Sequence, residues 1–369
     1  MTREDERIEE ALRAVGDDYV RRNPADLPRA RARIERLRAR RRLMAWGGTA
    51  AATAAAVAVA VFAWPAPQPS DDAPRPAGQV DLPEGAVPIE VGDGPGEVAV
   101  GAGAVWVSNE DDMTLSRIDP DLDIEVITLN MLGPPGDLAI GDGGEVWVAN
   151  PQTGEVQRAD PVTNAFTPDR RVVAGPAGTP LDLAIDDHLW VSVVEEELVQ
   201  VDPQTGDEVR HIDWMSPVNV AARDGRVFVL DEDGTVHGVD PATGEPDGIE
   251  ISFDVSDRGD VHFYDGTLWV AEGDGSTLYS SGVALGSDEI ESYPFRGTYV
   301  EMVQTEQGIV VLSDVGDGTG LLTLVDPGTG SVEELGEIGG SPRDLVRGEG
   351  DLWVSASAVD TVVRIPSLP

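Results

Sequence analysis

Val105-Trp106-Val107, Val146-Trp147-Val148, Leu189-Trp190-Val191, Val227-Phe228-Val229, Leu268-Trp269-Val270, Ile309-Val310-Val311 and Leu352-Trp353-Val354 are one apolar triplet written seven times. Their central residues lie 41, 43, 38, 41, 41 and 43 positions apart, and five of the eight Trp of the chain occupy that one place. Self-similarity at such a period fixes the architecture before any single element is read. No helical spacing of apolar residues interrupts it. A strand whose consecutive residues are all apolar is one with both faces buried, as in a sheet sandwiched between two others.

A second marker follows each triplet by about a dozen residues, well within one repeat. It reads Ile118-Asp119-Pro120, Ala159-Asp160-Pro161, Val201-Asp202-Pro203, Val239-Asp240-Pro241 and Val325-Asp326-Pro327, and four copies continue as Thr-Gly or Thr-Asn. The Asp side chain accepts from the turn's own N–H groups, Pro presets φ, and Gly or Asn takes the left-handed closing position, which makes a tight hairpin. Each unit then reads as four short strands. Strand a is a run such as Asp137-Leu138-Ala139-Ile140, b is the triplet, c enters Asp-Pro, and d leaves the turn. Four antiparallel strands per repeat of this length make a β-propeller blade.

The ring also closes on paper. The last unit has strand a at Asp344–Val346, b at Leu352–Val354 and c at Thr361–Ile365, but no fourth strand. Val87-Pro88-Ile89-Glu90-Val91 precedes the first strand a, at Glu97–Val100, and belongs to no unit. Placed as strand d of the last blade, it removes the open sheet edge. The expectation for residues 87–369 is thus an all-β, seven-bladed β-propeller with a velcro closure. Blade five is the degenerate copy, with Ser280-Ser281-Gly282 in place of Asp-Pro, and blade six lacks the Trp.

Upstream the composition changes. Of 26 basic residues, all Arg, 13 fall in residues 1–42 with 9 acids, a net of +4; residues 43–369 hold 13 Arg and 59 acids, a net of −46. Between them Leu43–Trp64 is 22 residues without a charge. As a helix it spans roughly 33 Å, enough for a bilayer core. Eight Arg in Arg29–Arg42 place its N-terminal side in the cytoplasm. The sequence therefore predicts a short, basic, helical cytoplasmic segment over 1–42, one transmembrane helix over 43–64 retained as an anchor, a Pro-rich spacer over 65–86, and an extracytoplasmic propeller. With no Cys there is no disulfide, zinc–thiolate site, iron–sulfur cluster or thiol nucleophile. A net charge of −42 opposes nucleic-acid binding.

The pattern Gly136-Asp137-Leu138-Ala139-Ile140, then Gly143-Gly144-Glu145-Val146-Trp147-Val148, then Arg158-Ala159-Asp160-Pro161, resembles the repeats of streptogramin (virginiamycin B) lyase and of the YVTN-type bacterial surface propellers. The resemblance covers residues 87–369. It implies the propeller fold, and for the lyase it implies a magnesium-dependent reaction using His and Glu near the axis. Glu272, in Trp269-Val270-Ala271-Glu272, stands where lyase-like repeats have Trp-Phe-Thr-Glu. His188, His211, His237 and His262 share no single repeat position.

Strand a lines the axis of a propeller, and the b–c and d–a connections emerge on one face. That places Asp137, Asp182, Asp260, Glu301, Arg343 and Asp344, at strand a starts, as the polar residues nearest the axis, where they are candidates for binding. The b–c hairpins are acidic in five copies, and Asp111, Asp112, Asp231, Asp233, Glu272 and Asp274 are candidate metal ligands for Ca²⁺ or Mg²⁺. The favoured reading is a membrane-anchored, non-enzymatic binding or scaffold module for a protein, glycan or small-molecule ligand of the envelope or its surroundings. The alternative is a lyase-like or quinoprotein-like enzyme with a metal-assisted site in the central funnel. An enzyme should bring His, Arg or Glu from several strands to one axial point with displaced pKa values; a binding module need not.

Overall fold

A computed structural model describes residues 83 and 85–366, apart from 120–125, 132, 173–179, 194–196, 256–258, 274, 283–288 and 349. The segments read as cytoplasmic tail and membrane anchor, and the spacer up to residue 82, lie outside the described residues. Among the described residues no helix is long and apolar enough to cross a membrane.

Among the described residues, twenty-eight strands form seven four-stranded antiparallel sheets. Numbered in chain order, β2 (Pro95–Gly101), β3 (Ala104–Asn109), β4 (Thr114–Ile118) and β5 (Val126–Asn130) make the first blade, β6 (Leu138–Ile140), β7 (Val146–Asn150), β8 (Glu155–Asp160) and β9 (Ala165–Val172) the second, and β10 (Pro180–Ile185), β11 (Leu189–Val193), β12 (Glu197–Val201) and β13 (Glu208–Ile212) the third. The fourth is β14 (Pro217–Arg223), β15 (Arg226–Asp231), β16 (Thr235–Val239) and β17 (Pro246–Ser252), the fifth β18 (Gly259–Tyr264), β19 (Thr267–Glu272), β20 (Thr277–Ser281) and β21 (Ile290–Pro294), and the sixth β22 (Thr298–Gln304), β23 (Ile309–Gly316), β24 (Thr319–Asp326) and β25 (Ser331–Gly339). The seventh has the order β1 (Val87–Glu90), β28 (Thr361–Ile365), β27 (Asp351–Ala356), β26 (Pro342–Gly348). β1 (Val87–Glu90) pairs with β28 (Thr361–Ile365) in the register Val87↔Arg364 to Glu90↔Thr361. Gly94 N–H adds a bond across the same seam to Asp360 Oδ1 at 3.1 Å. The closing strand read from the sequence is the one observed.

The triplets behave as their apolar runs require. β3 (Ala104–Asn109), β7 (Val146–Asn150), β11 (Leu189–Val193) and β27 (Asp351–Ala356) are buried at every position. The core is seven seams rather than one centre. Trp147 of the second blade packs on Leu183, Leu189 and Val191 of the third, and Trp353 of the seventh packs on Val98, Val105 and Val107 of the first. Trp106, Trp190, Phe228, Trp269 and Val310 fill the corresponding seams.

The Asp-Pro hairpins at Asp160, Asp202, Asp240 and Asp326 close as expected, and the turn that follows Asp119 lies outside the described residues. Asp202 Oδ1 accepts from Gln204 and Thr205 N–H at 2.8 and 3.0 Å, and Gly206, at φ 71°, donates to Asp202 O at 2.7 Å. Those bonds pull the Asp202 carboxyl below its usual pKa, as the equivalent bonds do at Asp160 and Asp326. Gly308, in the turn between strands a and b of the sixth blade, is a tighter case. At φ 147° its missing side chain faces the Val325 carbonyl oxygen, so a methyl there collides with backbone. Gly308→Ala is expected to cost about 2–3 kcal/mol, read as a lowered urea midpoint at unchanged m.

Candidate functional site

Strand a of each blade carries a polar residue toward the axis, and in five blades a local irregularity aims it. The pairing of strands a and b slips between Pro95 and Val98, Pro180 and Asp182, Pro217 and Asn219, Tyr299 and Glu301, and Pro342 and Asp344. An extra residue at such a bulge turns the strand and redirects a side chain. The outcome is a ring of Glu97, Asp137, Asp182, Asn219, Asp260, Glu301 and Asp344 lining an axial funnel of about 570 Å³. Five of the six residues expected near the axis are in that ring. Arg343 is a correction to that expectation. Standing at the bulge between Pro342 and Asp344, it does not line the funnel, is half exposed, and sits 3.7 Å from Glu110.

Four ring members also stitch neighbouring blades. Asp137 Oδ2 accepts from Leu183 N–H at 2.6 Å, Asp182 Oδ2 from Val220 N–H at 2.7 Å, Asn219 Oδ1 from Val261 N–H at 3.1 Å, and Asp344 Oδ2 from Val98 N–H at 2.5 Å. The fifth and sixth blades break this pattern. Asp260 Oδ2 accepts instead from the Tyr299 hydroxyl, and it lies 2.9 Å from His262 Nε2. Glu301 Oε1 lies 3.0 Å from the same nitrogen, and the Tyr264 hydroxyl contacts His262 Nδ1 at 2.9 Å. Asp260, His262 and Tyr264 alternate along β18 (Gly259–Tyr264), so all three face the funnel.

Crowded carboxyls in a half-buried ring cannot all ionise freely. Burial pushes Asp182 and Asp344 up to about 6, against the backbone N–H groups that each accepts. Burial and the Asp260 charge push Glu301 up to about 8. Burial and neighbouring carboxylates raise Glu97 and Asp137 well above the usual range. At His262 burial opposes the charged form, but Asp260, Tyr264 and Glu301 outweigh it and hold the imidazole's pKa well above its ordinary value. His262 in turn overcomes the burial of Asp260 and keeps that carboxyl low.

A stability prediction follows from the signs. Asp182, Asp344 and Glu301 hold their protons to higher pH folded than unfolded, so their contribution is full below about pH 4 and falls as pH rises through about 6 and then 8. Asp160, Asp202 and Asp326 act oppositely and lose stability only as pH drops below the ordinary carboxyl range. The melting temperature is therefore expected to fall by several degrees between pH 5 and pH 8.5 in scanning calorimetry, and Asp182→Asn should flatten the slope. A melting temperature that climbs over this range contradicts the ring's electrostatics.

Among the described residues, one group of His, Asp and Glu has donor atoms near enough to share an ion. It is Asp260, His262 and Glu301, all within 4.8 Å of one another. The 2.9 and 3.0 Å separations of Asp260 and Glu301 from His262 Nε2 match ligands roughly 2.1 Å from one ion at near-right angles. The imidazole moves the expected ion from Ca²⁺ or Mg²⁺ toward Mn²⁺ or Zn²⁺. The hairpin acids do not converge in this way. Asp231 is committed to its turn, accepting from Asp233 and Thr235 N–H at 3.0 and 2.9 Å, with His237 on its other oxygen at 2.7 Å. Asp233 is exposed, Asp112 accepts from Asp93 N–H at 2.8 Å, Asp111 packs by Gly94, and Glu272 ends β19 (Thr267–Glu272). Asp274 lies outside the described residues.

Glu97, Asn219, His262, Tyr264 and Tyr299 were missed by the sequence reading. Glu97 and Asn219 stand at the same strand a position as Asp137, and alignment of the seven strands on that position finds them. His262 and Tyr264 follow Asp260 by two and four residues, the alternation of one strand face.

Fold and site together define a seven-bladed β-propeller with a charged axial funnel. The family model described as outer membrane protein assembly factor BamB matches residues 136–363, and the chain belongs to that family. No curated protein sequence matches the chain. Virginiamycin B lyase from Staphylococcus aureus has the same fold, with a TM-score of 0.64 at 13% identity over 79% of this chain and 100% of that one. A catalytically inactive histidine-to-alanine variant of that lyase, solved with quinupristin, gives 0.63 at 13% identity over 79% and 100%. BamB from Moraxella catarrhalis gives 0.57 at 16% identity over 76% of this chain and 98% of its own. The chain is a streptogramin lyase-like β-propeller in fold.

Proposed function

We propose that the chain is a membrane-tethered, extracytoplasmic binding module whose axial funnel takes up a divalent cation on Asp260, His262 and Glu301 and offers it to a ligand entering from the acidic face. The observation that carries the binding reading is the convergence of three donors from two blades on one point. The tether rests on the uncharged run Leu43–Trp64 and the arginines before it. Tyr264, at His262 Nδ1, fixes the ring orientation that presents Nε2, the usual role of a partner behind a metal-bound imidazole. The ion would add a positive charge where carboxylates repel one another, and any open coordination positions would polarise a ligand carbonyl or phosphoryl oxygen.

The test is a thermal-shift series on the full chain in detergent with Mn²⁺, Zn²⁺, Mg²⁺ and Ca²⁺. Mn²⁺ or Zn²⁺ at about 100-fold over its dissociation constant should stabilise by about 2.7 kcal/mol, with Ca²⁺ the weakest of the four. Indifference to all four removes the reading.

A second reading, a metal-assisted lyase, draws on one feature. His262, Glu301 and the hydroxyls of Tyr264 and Tyr299 meet in the same funnel, which supplies acid–base groups beside the proposed ion. Against it, both His262 nitrogens are engaged, and an imidazole that gives Nε2 to the ion is no longer free to act as a general base. Conversion of quinupristin by the Mn²⁺-loaded chain, lost in His262→Ala, would establish it.

A further inference from the structure

The ends of the a strands face the mouth opposite the acid ring. There Arg223, Tyr264, Gln304 and Arg347 border a recess of about 410 Å³. It shares Arg223, Tyr264, Val303 and Val346 with the funnel, so the two form one passage with carboxylates at one end and guanidinium groups at the other. Arg223 is exposed on the last residue of β14 (Pro217–Arg223), with its guanidinium 5.4 Å from the centre of the Tyr264 ring. Among the described residues no carboxylate pairs with it. Arg347 meets Glu306 at 3.3 Å, but the Glu306 side chain is 88% exposed, and an ion pair so open to water is readily exchanged. Gln304 donates to Asp265. In a chain of net charge −42, a stacked arginine that no described carboxylate pairs with is suited to an anionic group.

We propose that this passage binds a short linear peptide lengthwise, with its ammonium group among Asp137, Asp182 and Asp344 and its carboxylate on Arg223 and Arg347. The inference rests on the cation-binding character of the funnel for the ammonium end alone. Length sets the ligand class. Asn219 and Arg223, like Asp260 and Tyr264, stand four residues apart on extended strands, about 13 Å. Three to four extended residues at roughly 3.3–3.6 Å each cover that span. An ammonium group has three donors to spread over several carboxylates, and a guanidinium fork takes a carboxylate in two bonds.

The experiment is calorimetric titration of the full chain in detergent with tri-alanine, its C-terminal amide and its N-acetyl form, each without and with Mn²⁺. Tri-alanine should bind, and both capped forms should bind at least tenfold more weakly. Arg223→Gln should weaken the free acid at least tenfold and leave the amide unchanged. No heat from tri-alanine, or equal binding of acid and amide, overturns the proposal. A Mn²⁺ titration on the same samples separates the two readings. Peptide bound with these end preferences but no Mn²⁺ uptake sinks the metal site and leaves the passage standing. Mn²⁺ uptake without peptide binding does the reverse, and Arg223→Gln should not weaken Mn²⁺ in either case.

Discussion

Ile89→Asp is expected to open the ring. Ile89 is 4% exposed and packs with Val98, Val105, Ile118, Trp353 and Val362, the seam where the seventh blade meets the first. The substitution removes about 1.5–3 kcal/mol of apolar burial and forces a carboxyl against Trp353, so a loss of about 4 kcal/mol or more is expected. Few domains have much more to lose. Val87, two residues earlier on the same strand, is 45% exposed, and Val87→Asp should change stability by under about 1 kcal/mol. The pair separates burial at the closing strand from a general intolerance of charge. Urea denaturation reads both; equal midpoints would mean that β1 does not close the ring.

His262→Ala should abolish cation uptake, with affinity for Mn²⁺ falling at least 100-fold. The reasoning is geometric. Nε2 of His262 is the atom that Asp260 and Glu301 both approach, at 2.9 and 3.0 Å, so without it only two carboxylates remain to hold the ion. Outer groups behind a metal ligand already matter by 10–100-fold when removed, and a direct ligand matters more. Tyr264→Phe, which deletes only the hydroxyl at Nδ1, should cost about 10-fold. Unchanged Mn²⁺ affinity in His262→Ala would place the ion elsewhere.

The fold was legible because its signal is collective. No single triplet identifies a propeller, yet seven copies at a nearly constant spacing do, and the unpaired Val87–Val91 run could only complete a blade that lacked one strand. The site is written differently. Propeller axes are lined by one face of each a strand, so the residues that matter are singletons at one position in each repeat. Asp137, Asp182, Asp260, Glu301 and Asp344 announced themselves by charge at that position. Asn219 did not, and His262 was set aside because the four His share no repeat position, although a site on a ring needs only one. Arg343 was misplaced because its neighbour Asp344 takes the axial direction after the bulge at Pro342–Asp344, a detail of register that charge does not encode. The hairpin acids looked like ligands by density alone, whereas Asp231 is occupied with its own turn and His237.

The most direct test is anomalous diffraction from crystals of the protein grown with Mn²⁺. The account predicts one strong peak in the axial funnel, about 2.0–2.3 Å from His262 Nε2, Asp260 Oδ2 and Glu301 Oε1. A funnel without density, or manganese found instead on the outer hairpins around Asp231 and Asp233, would contradict it.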